Sequence, residues 1–147
     1  MNKVTMMMFS LFFALTACGQ NHNSSSEKSN TTKQTTQTEQ TMDLSKITNE
    51  TVRHAVEALQ SGDQSWYSFF TENPAMTDDG NTMNFKDFFG NALGNEKFLS
   101  IDKVENEGKD VYGNFNAGKW GTFKVFFKFH QNTDGKFDRL DIGQANY

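Results

Sequence analysis

The chain has 147 residues, a formal net charge of −4 at pH 7 and a single cysteine. One cysteine excludes an intramolecular disulfide and a cysteine-based metal site. Because the net charge is acidic and no block of Lys or Arg occurs, the sequence also argues against nucleic acid as a partner, since phosphates require a basic surface.

Residues 1–17 have the pattern of a bacterial leader. A basic Lys3 precedes an apolar run from Met6 to Leu15, which has the length of a signal-peptide core and is too short to span a bilayer. The next residues, Leu-Thr-Ala-Cys-Gly up to position 19, resemble the lipobox of bacterial lipoproteins. The resemblance implies cleavage before Cys18 and acyl chains such as palmitate on that residue. The alternatives are an ordinary secretory leader and a buried cysteine.

By this resemblance the mature protein is held on a membrane of the bacterial cell envelope by its lipid. Gly19, and not Asp, follows Cys18. The general sorting pattern of lipoproteins then implies the outer membrane, facing the periplasm, if the source is Gram-negative.

Residues 18–42 are interpreted as the lipidated cysteine and a polar linker. Gln20 to Thr41 contains no large apolar residue, so it cannot bury enough surface to offset the entropy of ordering and is predicted to be disordered. A flexible coil of this length has an r.m.s. reach of roughly 25 to 30 Å. The linker would therefore hold a folded domain clear of the lipid headgroups.

Three helices are predicted early in a folded domain that spans residues 43–147. Apolar residues at helical spacing indicate a first helix that Thr48 or Asn49 can cap and that Gly62 ends. Residues 64–70 are predicted to form a short aromatic second helix. A third helix over residues 84–93 has its apolar residues on one face, Phe85, Phe88, Phe89 and Ala92.

Four long antiparallel strands are predicted to follow the helices. The turn-rich residues 77–81 leave room for short strands on either side. Asp134-Gly135 is a strong hairpin signal, because Gly supplies the positive φ that tight turns require. Helices followed by an antiparallel sheet indicate an α+β fold. The predicted long strands cover residues 98–106, 110–116, 120–130 and 136–144.

Three stretches carry a resemblance to a known family. They are residues 55–63, which run from a helix into a Gly-Asp break, the aromatic residues 66–70, and the final hairpin at 134–137 with 140–144. In this order they resemble the NTF2-like superfamily and, within it, SnoaL-like domains. The resemblance implies a cone in which three N-terminal helices pack on a strongly curved antiparallel sheet. It specifies no activity, because the superfamily hosts isomerases, cyclases, dehydratases, transport adaptors and non-enzymatic pocket domains.

The candidate ligand-binding residues are aromatic. Trp66, Tyr67 and Trp120 combine a large apolar body with a polar tip, which suits the rim of a cavity. Phe70 and Phe89 complete the predicted set. The competing interpretation for most of the Phe residues is a filled core.

Asp141 and His130 are the candidate catalytic residues. The resemblance implies a carboxylate facing the cavity at the position of Asp141, where apolar surroundings would raise its pKa. His130 lies near the end of the preceding strand and could join it in proton transfer. The alternative is that Asp141 is solvated or paired with Arg139 or Lys136, and that His130 faces solvent.

The first functional hypothesis is therefore a membrane-anchored domain that binds a small apolar ligand or a partner protein. The alternative is an isomerase-like or dehydratase-like enzyme that uses an acid/base pair in the cone cavity, and a third is an interaction module with a solid core. No nucleotide fingerprint or metal-site spacing occurs, so no cofactor and no metal are expected. A homodimer is expected, because Phe126 and Phe127 put apolar side chains on both faces of one strand.

Overall fold

The computed structural model describes residues 42–147. The predicted leader, the lipidated Cys18 and the linker up to residue 41 lie outside the described residues. No helix within residues 42–147 is long and apolar enough to cross a membrane. The elements are α1 (Glu50–Ser61), a 3-10 helix (Gln64–Phe69), β1 (Phe70–Asp78), β2 (Asn81–Thr82), α2 (Phe85–Ala92), β3 (Lys97–Glu105), β4 (Asp110–Asn116), β5 (Thr122–Gln131) and β6 (Phe137–Gln144).

The helices begin and end at capping residues that the sequence supplies. The Asn49 side chain accepts a hydrogen bond from the Val52 backbone N–H at 3.1 Å, and α1 stops at Gly62, whose φ of 69° is in the left-handed region. The Asn84 side chain accepts from the Asp87 N–H at 3.0 Å at the start of α2. The predicted first and third helices are confirmed, and the second is a 3-10 helix.

The six strands form one sheet in the order β2-β1-β6-β5-β4-β3. Strands β3 to β6 make the predicted antiparallel meander. The expectation of only short strands around residues 77–81 is wrong for β1, which has nine residues and runs parallel to β6. Pro74 lies inside β1, where the register shifts between Phe70 and Ala75. Proline has no N–H, and it is tolerated there because the ladder is interrupted and requires no donor from it.

The core lies between the helices and the concave face of the sheet. Register shifts in β1, β3 and β6 bend the strands, and the apolar residues of their inner faces converge. A large part of the aromatic content is therefore packing. The largest fully buried aromatic side chains are Trp66, Phe89, Phe98, Phe127, Phe129 and Phe137.

The outer edge of β3 is closed by a side chain from α1. Gln60 Nε2 donates to the Phe98 carbonyl at 2.9 Å, and Gln60 Oε1 accepts from the Phe98 N–H at 2.7 Å. The amide thus takes the place that a neighbouring strand would occupy. Lys46 Nζ donates to the Ile101 carbonyl at 2.8 Å on the same edge, so part of this edge is not left open to another chain.

Candidate functional site

A pocket of about 310 Å³ opens between α2, the end of β1 and the concave face of β4 to β6. The volume is at the lower end of the range for small-molecule sites. In the sheet, Phe115 pairs with Phe123 and Phe127 with Ile142 across neighbouring strands, so the strand register brings the wall together. The apolar wall consists of Phe88, Phe115, Phe123, Val125, Phe127 and Ile142.

Trp120 forms part of the rim. It ends a short 3-10 turn, Gly118–Trp120, between β4 and β5, and Gly121 with a φ of 100° allows the chain to re-enter β5. The Trp120 side chain lines the pocket and is 70% exposed. A large apolar ring held in solvent beside an apolar wall offers contact area to a ligand.

Three carboxylates, Asp78, Asp79 and Glu96, also line the pocket, and none of its lining residues is basic. Met76 on β1 points into the core, so Asp78, two residues further along the strand, faces the same side. Glu96 precedes β3. Asp79 Oδ1 accepts a hydrogen bond from the Gln144 N–H at 2.7 Å, which fixes this carboxylate to the end of β6.

The environment of Asp78 and Glu96 disfavours the charged forms of these two acids. Burial raises the pKa of Asp78, and the neighbouring Asp79 adds to the effect. Burial also raises the pKa of Glu96, and the nearby Asp78 raises it further. A pocket with an apolar wall and mutually repelling acids is therefore an electronegative site for a ligand.

The sequence analysis missed Asp78 and Glu96. Asp78 lies in the turn-rich stretch and was expected to be part of a loop, because no apolar alternation continues from Met76 to Asp78. Pro74 also hid strand β1. Glu96 follows the end of α2, and no local pattern indicates which way its side chain points.

The structure brings Asp141 and His130 together, but on the outer face of the sheet. His130 Nε2 lies 2.9 Å from Asp141 Oδ2, Arg139 Nε donates to both carboxylate oxygens at 2.9 Å, and Thr77 Oγ1 donates to Oδ1 at 2.7 Å. Leu140 and Ile142 on β6 are buried in the core, so Asp141 between them points away from the core. Catalysis by this pair inside the cone requires both side chains to face the cavity, and neither does.

The hydrogen bonds determine the charge state of Asp141. Burial raises the pKa of its carboxyl group, but the hydrogen bonds from Thr77, Arg139 and His130 outweigh that effect, and the pKa lies below its ordinary value. The pairing with Arg139, which the sequence analysis held as the alternative, is present. A carboxylate held ionised by these donors is a poor general base near neutral pH.

The other predicted ligand-binding residues belong to an aromatic cluster that does not line the pocket. The ring centroids of Trp66 and Phe89 are 4.7 Å apart, and those of Trp66 and Phe70 are 4.8 Å apart. Trp66 and Phe89 are fully buried, and Tyr67 contacts Phe85 at the edge of this cluster with ring centroids 6.0 Å apart. Of the five predicted residues, only Trp120 lines the pocket.

A second, larger groove of about 570 Å³ runs along the free edge of β1 beside the start of α2. Its lining mixes the charged Glu72, Lys86 and Arg139 with polar residues and with apolar residues that include Pro74, Met83 and Phe85, so charges of both signs interrupt its apolar surface. Among residues 42–147 no three His, Cys, Asp or Glu side chains are grouped so that they could hold a metal ion. The 310 Å³ pocket is therefore the candidate site.

No protein-family model and no curated protein matches the sequence. Solved structures do match. The orange carotenoid protein of Anabaena (Nostoc) sp. PCC 7120 binding canthaxanthin is 20% identical with a TM-score of 0.51, over 69% of this chain and 38% of that one. The match thus covers less than half of the length of the carotenoid protein.

Two further structures match over more of their own length. A bacterial protein with a cystatin-like fold from Silicibacter pomeroyi DSS-3 is 16% identical with a TM-score of 0.52, over 69% of this chain and 77% of that one. The epoxide hydrolase/cyclase-like enzyme SalBIII, which has a role in pyran ring formation in the polyether salinomycin, is 16% identical with a TM-score of 0.50, over 65% and 88%. These likenesses show the fold, an NTF2-like cone with a curved six-stranded sheet, and confirm the predicted fold class.

Proposed function

We propose that this protein is a lipid-anchored NTF2-like domain that binds a small apolar or amphipathic molecule in the pocket between α2 and the sheet. The observation that carries the proposal is the pocket itself, an apolar wall of Phe and aliphatic side chains with the exposed ring of Trp120 at its rim. Burial of apolar ligand surface supplies about 25 cal/mol per Å². The Anabaena protein, 38% of which matches this chain, binds canthaxanthin, an apolar carotenoid.

Nile red, a neutral apolar dye whose emission rises when it leaves water, tests ligand binding. The full chain carrying Cys18→Ser is titrated with the dye, with and without Val125→Trp. Val125 lines the pocket and is 9% exposed, so the larger ring fills it and is expected to weaken binding about tenfold or more.

Leu99→Trp is the matched control, because Leu99 is 51% exposed and does not line the pocket. It adds the same ring without filling the cavity, and its dye affinity should equal that of the parent chain. Absence of dye binding, or equal binding by Val125→Trp and the parent, would contradict the proposal.

Anchoring by Cys18 is supported by the lipobox-like sequence that precedes it. Cells expressing the chain are fed an alkyne analogue of palmitate, and the labelled chain is detected after coupling to a fluorophore. Label is expected on the natural chain and none on Cys18→Ser. Equal labelling of both chains would refute lipid attachment at this residue.

A homodimer through the outer face of the sheet is supported by the apolar side chain that this face presents. Phe126 is half-buried among polar neighbours on β5, with Lys128 Nζ 5.1 Å from its ring centroid. Sedimentation equilibrium should give twice the chain mass, and Phe126→Glu should give a monomer. A monomeric parent chain would contradict this part of the proposal. If the face instead binds a different protein, the monomeric parent chain would still bind that protein.

An isomerase-like or dehydratase-like enzyme is the second candidate, and the carboxylates of the pocket favour it. Asp78 and Glu96 have raised pKa values beside an apolar wall, which is the environment of a general acid or base. Deuterium exchange into the α-position of 2-cyclohexenone, followed by NMR, tests proton abstraction. Exchange that Asp78→Asn abolishes would support an enzyme, and exchange at the solvent rate would oppose it.

A further inference from the structure

We infer that the pocket selects a ligand with a positively charged amine or ammonium head and an apolar tail. The inference rests on the proposed ligand-binding function and deepens it by naming the ligand class. The pocket is the site, and its lining residues decide which molecules bind. The apolar wall would hold the tail, and the charged rim would hold the head.

The electrostatic argument begins with the charges that line the pocket. Asp78 and Glu96 contribute two partly buried carboxylates and Asp79 a third, exposed one, and no Lys, Arg or His lines the pocket. Within residues 42–147 none of the ion pairs includes any of the three acids. Asp79 has one oxygen engaged by the Gln144 N–H, whereas no hydrogen bond in this part of the chain reaches the carboxylates of Asp78 or Glu96.

Partly buried carboxylates without a countercharge are unfavourable, and a cation that enters the pocket relieves the cost. A neutral ligand would cover the same apolar wall but leave the acids uncompensated. An anionic ligand would add a fourth negative charge beside three others. The pocket should therefore bind a cationic ligand more tightly than a neutral one, and a neutral ligand more tightly than an anionic one.

The aromatic rings of the rim favour the same head group. Trp120 is exposed at the rim, and Phe88 and Phe123 line the pocket beside it. Ring faces attract cations, and Trp does so most strongly. One face of the Trp120 ring already holds a cation, since Lys119 Nζ lies 4.9 Å from its centroid, so a ligand ammonium must displace that amine or use the opposite face of the ring. A ligand ammonium can make this contact while it also lies close to the carboxylates.

Three probes with the same tail and different heads test the inference: octyltrimethylammonium, octan-1-ol and octanoate. Each is titrated into the full chain carrying Cys18→Ser by isothermal calorimetry at low ionic strength. Octyltrimethylammonium is expected to bind about tenfold more tightly than octan-1-ol, and octanoate more weakly than either.

Two variants locate the preference. Asp78→Asn and Glu96→Gln each remove one carboxylate from the pocket with little change in volume. Each is expected to reduce severalfold the ratio of the affinity for the ammonium compound to the affinity for octan-1-ol. Asp134→Asn removes the same charge from the exposed β5–β6 turn and should leave the preference intact.

The outcomes separate this inference from the proposed function. Equal binding of the ammonium compound and the alcohol, or a preference that survives both pocket variants together, would overturn the ligand class while leaving the pocket a binding site. Failure of all three probes to bind would overturn both. Loss of the preference in Asp134→Asn to the same extent would show a long-range effect of net charge, and would overturn the assignment to the pocket carboxylates.

Discussion

Replacement of Gln60 by Leu should destabilise the fold by removing the side chain that closes the edge of β3. Gln60 makes two hydrogen bonds to the backbone of Phe98, at 2.7 and 2.9 Å. A hydrogen bond contributes about 0.5 to 1.5 kcal/mol net, and a buried partner left unpaired costs more. Leucine keeps the bulk but pairs with neither group. We expect the free energy of unfolding to fall by about 2 kcal/mol.

Urea denaturation followed by circular dichroism measures this change, and the thermal midpoint should fall by about 10 °C for a domain of this size. Gln64→Leu is the control, because Gln64 is exposed and no hydrogen bond of its side chain is present in residues 42–147. Gln60→Glu adds a second test. An ionised carboxylate can accept from the Phe98 N–H but repels the Phe98 carbonyl, whereas a protonated one can donate to it. Gln60→Glu should therefore regain stability relative to the parent chain as the pH falls.

A loss of less than 0.5 kcal/mol in Gln60→Leu, which is within the usual range for surface substitutions, would refute this reasoning. So would an equal loss in Gln64→Leu. Either result would mean that water satisfies the edge of β3 as well as the Gln60 amide does.

Three further predictions concern other parts of the fold. The pKa of Asp141 is lowered on folding from its ordinary value of 3.8, so its contribution to stability is present above that value and is lost as the pH falls through the lower folded pKa. The stability difference between the parent and Asp141→Asn, measured by urea denaturation, should shrink below about pH 4. Gly113→Ala should be poorly folded by circular dichroism, because a Cβ there would lie 1.9 Å from the Ser100 carbonyl oxygen. Trp66→Ala should lower the free energy of unfolding by about 3 to 5 kcal/mol. Trp66→Phe should lower it less, because the buried Trp66 Nε1 has no hydrogen-bond partner in residues 42–147 to lose. A calorimetric melt compares the two variants.

The sequence was sufficient to predict the elements whose signals are local. Asn49 and Gly62 mark the start and the end of α1, because caps act on the residues next to them. The alternation of β5 and the Asp134-Gly135 turn predict the final hairpin in the same way. Strand β1 was missed as a long strand, because Pro74 interrupts its local pattern and its partner β6 lies more than sixty residues further along the chain.

The candidate site was harder to predict because it depends on which face each strand presents. Asp141 and His130 do meet, which their positions on neighbouring strands suggested, but a shift of one residue exchanges the two faces of a strand. The alternation of β6 puts Asp141 on the outer face of the sheet and Ile142 on the face that packs in the core. Asp78 faces the pocket for the same reason, since it pairs with Ile142. Neither orientation follows from residue type alone.

The pocket results from a difference in length between the strands and the helices that cover them. Ten residues of β5 extend about 33 Å, whereas the eight residues of α2 extend about 12 Å. Exposure along the inner face of β5 rises from Phe129, at 1%, to Val125, at 9%, and Phe123 is only partly buried. One apolar face thus forms a packed core around Phe129 and an open wall around Phe123. Substitutions at Phe129 should therefore act mainly on stability, and substitutions at Phe123 mainly on ligand binding.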